Sequence, residues 1–197
     1  MLDRIRNWLK PKADPRLVYK ENRLGDSPPV DTERFPRKAP LFGKGLFAYR
    51  CLFLVSERDA ARVQSALCEE FPLAKRAIPC EEAATNARGF SVHAGLRPEF
   101  NGVVVELLTN SAALFASLDA LRMQTLPPWL AFPDLDPEGI GSLQGSLDYW
   151  WRWLFMPYFS SLNEAEKNSF LESCPPGWAE FIRFHASPGE GEAAGNS

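Results

Sequence analysis

Apolar and polar positions follow two different periods along this chain, and the places where the period changes mark its elements. From Leu46 to Val55 aromatic, aliphatic and β-branched residues run almost without interruption after Gly43 and Gly45, the pattern of a buried strand. Ser56-Glu57-Arg58-Asp59 then resembles a helix cap, and Ala60, Val63, Leu67 and Phe71 follow at spacings of 3, 4 and 4 residues until Pro72 stops the helix. Lys75–Cys80 reads as a short strand. Phe90–Ala94 and Gly102–Leu108 read as two more, joined by a turn over Gly95 to Asn101. Asn110 or Ser111 caps a helix carrying Leu114, Phe115, Leu118 and Leu121, which ends before Pro127-Pro128.

On either side of residues 46–124 the pattern differs. Ahead of them, Leu2, Ile5, Trp8 and Leu9 form a stripe for one short helix ended by Pro11, and a Pro-rich stretch follows with Pro15, Pro28, Pro29, Pro36 and Pro40. This predicts a basic Pro-rich arm over residues 1–45 that packs on the domain. Behind them, Pro127 to Gly145 reads as a loop and Leu147 to Phe155 as a helix apolar nearly all round. Asn163 with Glu166 marks another helix start. Pro175-Pro176 opens a last helix with Trp178, Phe181 and Ile182 on one side. The tail over 186–197, rich in Gly, Ser and Glu, reads as mobile. The order of elements predicts a single α+β domain over 46–185, with a small mixed or antiparallel sheet, packed helices and a helical C-terminal part over 125–185.

Charge sharpens this division. The 197 residues carry a net charge of −3, but residues 1–50 hold 12 Lys/Arg against 6 Asp/Glu and the remainder 10 against 19. A basic arm of +6 thus precedes an acidic body of −9, and the overall composition disfavours a nucleic-acid binder of the usual basic kind, so no direct nucleic-acid partner is expected. No apolar run is long enough for a membrane span; the richest, Trp150 to Phe159, contains Arg152 and Pro157. Four scattered cysteines, Cys51, Cys68, Cys80 and Cys174, suit buried free thiols better than a disulfide scaffold. The expected location is the cytoplasm, with no membrane partner.

Catalytic chemistry finds little to build on. The two histidines, His93 and His185, sit in no nucleophile motif, so neither is expected to be catalytic. The cysteine spacing contains no C-x-x-C pair, and no metal or cofactor is expected. Gly139-Ile-Gly-Ser-Leu-Gln-Gly145 is one residue too long for a dinucleotide loop and does not follow a strand. Asp134, Asp136 and Glu138 are spaced like calcium ligands, but Pro137 and the missing bidentate Glu exclude that loop. An enzyme using scattered carboxylates such as Glu106 is the least favoured reading.

Protein recognition fits better. Trp129, Phe132, Tyr149, Trp150, Trp151, Trp153, Phe155, Tyr158 and Phe159 crowd around the acids Asp134, Asp136, Glu138 and Asp148. Exposed aromatic residues beside carboxylates have the composition of interface hot spots. The expectation is that Trp129, Asp134, Asp136, Glu138, Asp148 and Trp150 face a basic partner while Trp151 and Trp153 lie in the core.

The Trp151-Arg152-Trp153 motif on a late helix, after a mixed α/β first part, resembles the immunity protein 52 family over roughly residues 40–185. The resemblance implies an α+β antitoxin of a bacterial polymorphic toxin or type VI secretion system, whose partner is a cognate nuclease effector toxin with a restriction-endonuclease-like domain. On that reading the protein is an immunity protein that blocks substrate access without chemistry. The alternative is an adaptor or assembly protein of a secretion system, docking through residues 1–45.

Overall fold

A computed structural model describes residues 14–21 and 30–187. Five strands make one antiparallel sheet in the order β1-β2-β5-β4-β3. They are β1 (Lys38–Pro40), β2 (Tyr49–Val55), β3 (Cys80–Thr85), β4 (Ser91–Glu99) and β5 (Gly102–Thr109). The central β5 is buried at every position, which explains its unbroken apolar run: both sheet faces are covered there.

Period-2 alternation sends the side chains to two separate cores. Cys51, Phe53 and Val55 of β2 join Val103, Val105 and Leu107 of β5 on one face. That face receives α1 (Glu57–Glu70) through Ala60, Val63 and Leu67, and α2 (Ala112–Ala120) through Leu114, Phe115 and Leu118. Leu54 and Val104 point the other way, into a second core filled by the C-terminal helices. The α+β architecture with a helical C-terminal part is therefore present, arranged as a sheet between two helical layers.

Local chemistry sets the helix ends. The Ser56 hydroxyl accepts from Asp59 N at 3.1 Å to start α1. Ser111 does the same for α2, accepting from Leu114 N at 3.2 Å. Asn110 acts elsewhere, since its Oδ1 accepts from Ser91 N at 2.8 Å and ties β5 to the start of β4. In the C-terminal layer α3 (Gly145–Trp150) runs through a π-helical turn (Trp151–Phe155) into α4 (Met156–Phe159). Pro157 supplies a physical reason for the wide turn, because it cannot donate to the carbonyl four residues earlier and its ring crowds it. Asn163 and Glu166 form a reciprocal capping box at the start of α5 (Glu164–Glu172). Gly177 precedes α6 (Trp178–Ala186), which buries Trp178, Phe181 and Ile182.

Several expectations are corrected. Lys75–Cys80 is not a strand; the strand begins at Cys80, on the sheet edge, where alternate residues of Cys80–Thr85 are exposed. Such a half-polar edge strand lacks the apolar signal that periodicity detects. Gly95 does not turn the chain: it pairs with Glu106 inside β4, and the hairpin closes on Phe100 and Asn101 alone. Both have positive φ, 54° and 53°, the geometry of a two-residue hairpin normally given to Asn or Gly. Phe100 is held there by stacking on Tyr149 (6.2 Å) and contact with Phe132 (5.5 Å). Gly102 next to it is required, since a Cβ would lie 2.6 Å from the Val55 carbonyl oxygen.

The boundary drawn at residue 45 falls between β1 and β2 of one sheet, so the described part of the arm belongs to the domain. Tyr19 is completely buried, and its hydroxyl donates to the Leu108 carbonyl at 2.8 Å. Phe35 packs edge-on against Tyr158 at 5.1 Å. Buried Lys38 reaches Asp119 in the last turn of α2. The stripe Leu2, Ile5, Trp8, Leu9 and the tail from Pro188 onward lie outside the described residues.

Candidate functional site

The expected interface residues separate into three groups. Trp150 is 0% exposed, stacked on Phe155 at 5.0 Å and edge-on to Phe132 at 5.3 Å, so it cannot meet a partner. Trp153, expected in the core, is 53% exposed, whereas Trp151 is buried as expected. The exchange follows from helix geometry. Trp150, Trp151, Leu154, Phe155 and Tyr158 share one arc at ~100° per residue, and 152 and 153 fall on the far side. A helix apolar nearly all round offers several such arcs, and the sheet selects this one. Trp129 is half-buried, 5.7 Å from the Phe170 ring and 6.5 Å from Trp178, and serves as a wall of the second core.

The acids also divide. Asp134, Asp136 and Glu138 are exposed on one loop. Asp136 accepts from Glu138 N at 3.0 Å and starts a 3-10 turn (Pro137–Glu138–Gly139). That turn is seated against the start of α6: a Cβ at Gly177 would lie 2.9 Å from Pro137 Cγ and 3.5 Å from Glu138 Cγ. Glu138 thus stands near a helix N-terminus, where a carboxylate is favoured by the aligned peptide dipoles. Asp148 belongs elsewhere, since from α3 it pairs at i,i+4 with Arg152 of the π-helical turn at 2.6 Å.

In place of Trp150 and Asp148 the fold adds residues that sequence reasoning passed over. A shallow depression of about 570 Å³ is lined by Pro137, Glu138, Ile140, Glu180, Phe184 and His185, among others. Phe184 is 74% exposed and Glu180 is exposed beside it. The signal was available: Phe184 falls off the Trp178–Phe181–Ile182 stripe of α6 and therefore had to face outward. His185 packs on Phe181 (4.5 Å) and Trp151 (5.8 Å), and burial lowers its pKa. The patch is thus acidic and aromatic, and residues 125–187 as a whole carry 8 Asp/Glu against 3 Lys/Arg.

Glu106 and His93 occupy the sheet face between Tyr19 and the C-terminal layer. The Glu106 side chain is 4% exposed and Oε1 accepts from Arg50 Nε at 2.7 Å and pairs with its Nη2 at 2.6 Å. The Tyr19 hydroxyl has a single proton and gives it to Leu108, so His93 Nδ1, at 2.9 Å, must be the donor to the Tyr19 oxygen. This fixes one neutral tautomer. Burial lowers the His93 pKa below the ordinary value of about 6.5. A folded-state pKa below the unfolded one means that the unfolded chain takes up protons first. Stability is therefore fully present above about pH 6.5 and is lost as pH falls toward the folded value. Urea midpoints at pH 7, 6 and 5 are expected to drop in the wild type and to drop less in His93→Gln; equal slopes would remove His93 as the cause.

Among the described residues, no group of three or more His, Cys, Asp or Glu is placed to hold a metal ion, and no helix is long and apolar enough to cross a membrane. Burial pushes the Cys51 thiol up to about 12 and the Cys174 thiol up to about 11, away from thiolate chemistry at neutral pH. Comparison of the chain with models of known protein families, with curated proteins and with solved structures gives no match.

Proposed function

We propose that the protein is a non-catalytic immunity protein of the bacterial cytoplasm that captures a basic protein surface, that of a cognate nuclease effector toxin, through the acidic loop and the exposed side of α6. The observation that carries this reading is the seating of Pro137 and Glu138, in the turn capped by Asp136, against the start of α6 beside exposed Phe184 and Glu180. An exposed aromatic side chain within a negative rim suits a partner of opposite charge, for which complementarity raises association rate and specificity. Nucleases hold phosphate backbones on basic surfaces. An acidic occupant of such a surface excludes the substrate sterically and electrostatically.

The test is inhibition of a nuclease encoded by the neighbouring gene, read as DNA cleavage on a gel and as binding by calorimetry. The wild type is expected to inhibit stoichiometrically. Asp134→Ala/Asp136→Ala/Glu138→Ala combined with Phe184→Ala is expected to bind at least ~30-fold more weakly, the effect of losing one hot-spot side chain of about 2 kcal/mol. Full inhibition by this quadruple variant would sink the proposal. The adaptor reading assigns docking to residues 1–45, yet Tyr19, Phe35 and Lys38 of that segment are built into the domain. Truncation at 45 would remove β1 along with any docking segment, so point changes at exposed arm residues such as Arg16 are the appropriate comparison.

A further inference from the structure

A second concavity, independent of the acidic patch, lies where β1 and β2 meet the outer side of the α3–α4 helix. It encloses about 490 Å³, within the usual range for small-ligand sites. Three guanidinium groups from three separate parts of the chain line it: Arg37 ahead of β1, Arg50 of β2, and Arg152 in the π-helical turn. Leu52 and Pro157 give it apolar lining, and Trp153, 53% exposed, forms part of the wall. We propose that this cleft binds a small amphipathic anion, a flat or apolar body lying on Trp153 and Leu52 with a carboxylate or phosphate held by Arg37 and Arg50.

Arg50 is preorganised for this. Its Nε and Nη2 are both engaged by Glu106, whose side chain is 4% exposed. A guanidinium carries five N–H donors in a rigid fork, and among the described residues the Nη1 edge of Arg50 has no hydrogen-bond partner. Arg37 pairs with Glu33 at 2.9 Å in an i,i+4 pair whose side chains are 54% and 76% exposed. Exposed pairs of this kind are weak and are readily exchanged for an incoming anion. The π-helical turn places Arg152 and Trp153 together on the outside, and such turns recur at functional sites. Arg37, Arg50 and Arg152 are each paired with a carboxylate, Glu33, Glu106 and Asp148 in turn, so an anion enters by displacing the exposed Glu33 from Arg37. The indole beside them then offers it a stacking face next to guanidinium N–H donors, which suits an aromatic or apolar anion better than either a neutral ligand or a bare ion.

The probes are 4-phenylbutyrate and phenyl phosphate, which differ in head group, with 4-phenylbutanamide as the neutral counterpart and hexaglutamate as an acidic peptide. Binding to the full chain is read by 1H–15N correlation spectra, in which the Trp153 indole N–H reports directly. Saturable movement of that signal by either aromatic anion is expected, with the amide at least ~10-fold weaker because it forgoes a charge-assisted hydrogen bond. Arg37→Gln and Trp153→Leu change exposed side chains, so their spectra away from the cleft should match the wild type, and in Trp153→Leu affinity is read from the backbone amides of Arg50, Leu52 and Arg152. Each is expected to weaken binding by ~10-fold. No saturation by either aromatic anion, equal binding of the amide, or unchanged affinity in Trp153→Leu would overturn the proposal. Saturation by hexaglutamate alone would overturn it in favour of a protein partner.

Discussion

Trp150→Ala is expected to destabilise the protein by about 3–5 kcal/mol, the cost of emptying the site of a large buried aromatic residue. Trp150 is 0% exposed and closed in by Phe132, Trp151 and Phe155, with ring centroids 5.3, 6.3 and 5.0 Å away. Those neighbours belong to the loop after residue 131 and to the same helix, and the sheet stands behind them through Leu54 and Val104 in the same core. They cannot all collapse into the void. Trp153→Ala three residues along is expected to change stability by less than about 1 kcal/mol, because its indole already faces water. Urea unfolding followed by circular dichroism measures both. A Trp153→Ala loss as large as that of Trp150→Ala would mean that the helix is rotated relative to the sheet, and would remove the cleft wall along with it.

The second large effect concerns the ion pair that ties the N-terminal segment to α2. Lys38 Nζ lies 2.5 Å from Asp119 Oδ1, with side chains 0% and 17% exposed, and 3.3 Å from the Arg34 carbonyl. Asp119→Ala leaves the ammonium buried without its counter-ion, and a loss of about 3–5 kcal/mol is expected. Lys38→Met/Asp119→Leu removes both charges and keeps most of the volume. That double variant is expected to fall within about 1 kcal/mol of wild type or above it, since burying two charges is itself costly. The difference between single and double variants isolates the pair. A single-variant loss under about 1 kcal/mol would show that Lys38 finds water or another acceptor, and that β1 is held by its ladder with β2 and by Phe35 instead.

What could be read from sequence was what depends on near neighbours. The caps at Ser56, Ser111 and Asn163 act over three residues, and the stripe Ala60, Val63, Leu67, Phe71 needs only one helix to define it. Trp178, Phe181 and Ile182 were legible for the same reason. The candidate site was legible in part. The acids of the 134–138 loop are exposed as composition suggested, but the aromatic anchor beside them is Phe184, some fifty residues away. Trp150 and Trp153 differ in no chemical respect. Only the side of the helix that meets the sheet tells them apart.

Residue order on its own specifies the alternation of strands and helices over 46–124, the helical C-terminal third and the separation of a basic first quarter from an acidic remainder, because periodicity, capping and charge are local properties. Three further matters were settled by packing in three dimensions. It made an edge strand of Lys38–Pro40, since three residues pair only when β2 offers its edge. It carried β4 straight through Gly95 to a turn at Phe100 and Asn101, since pairing with β5 outweighs the turn preference of one glycine. It also assembled an acidic patch around Phe184 and an arginine-lined cleft around Trp153, each from segments far apart in the chain, because juxtaposition across a sheet or between helices leaves no mark on residues next to one another.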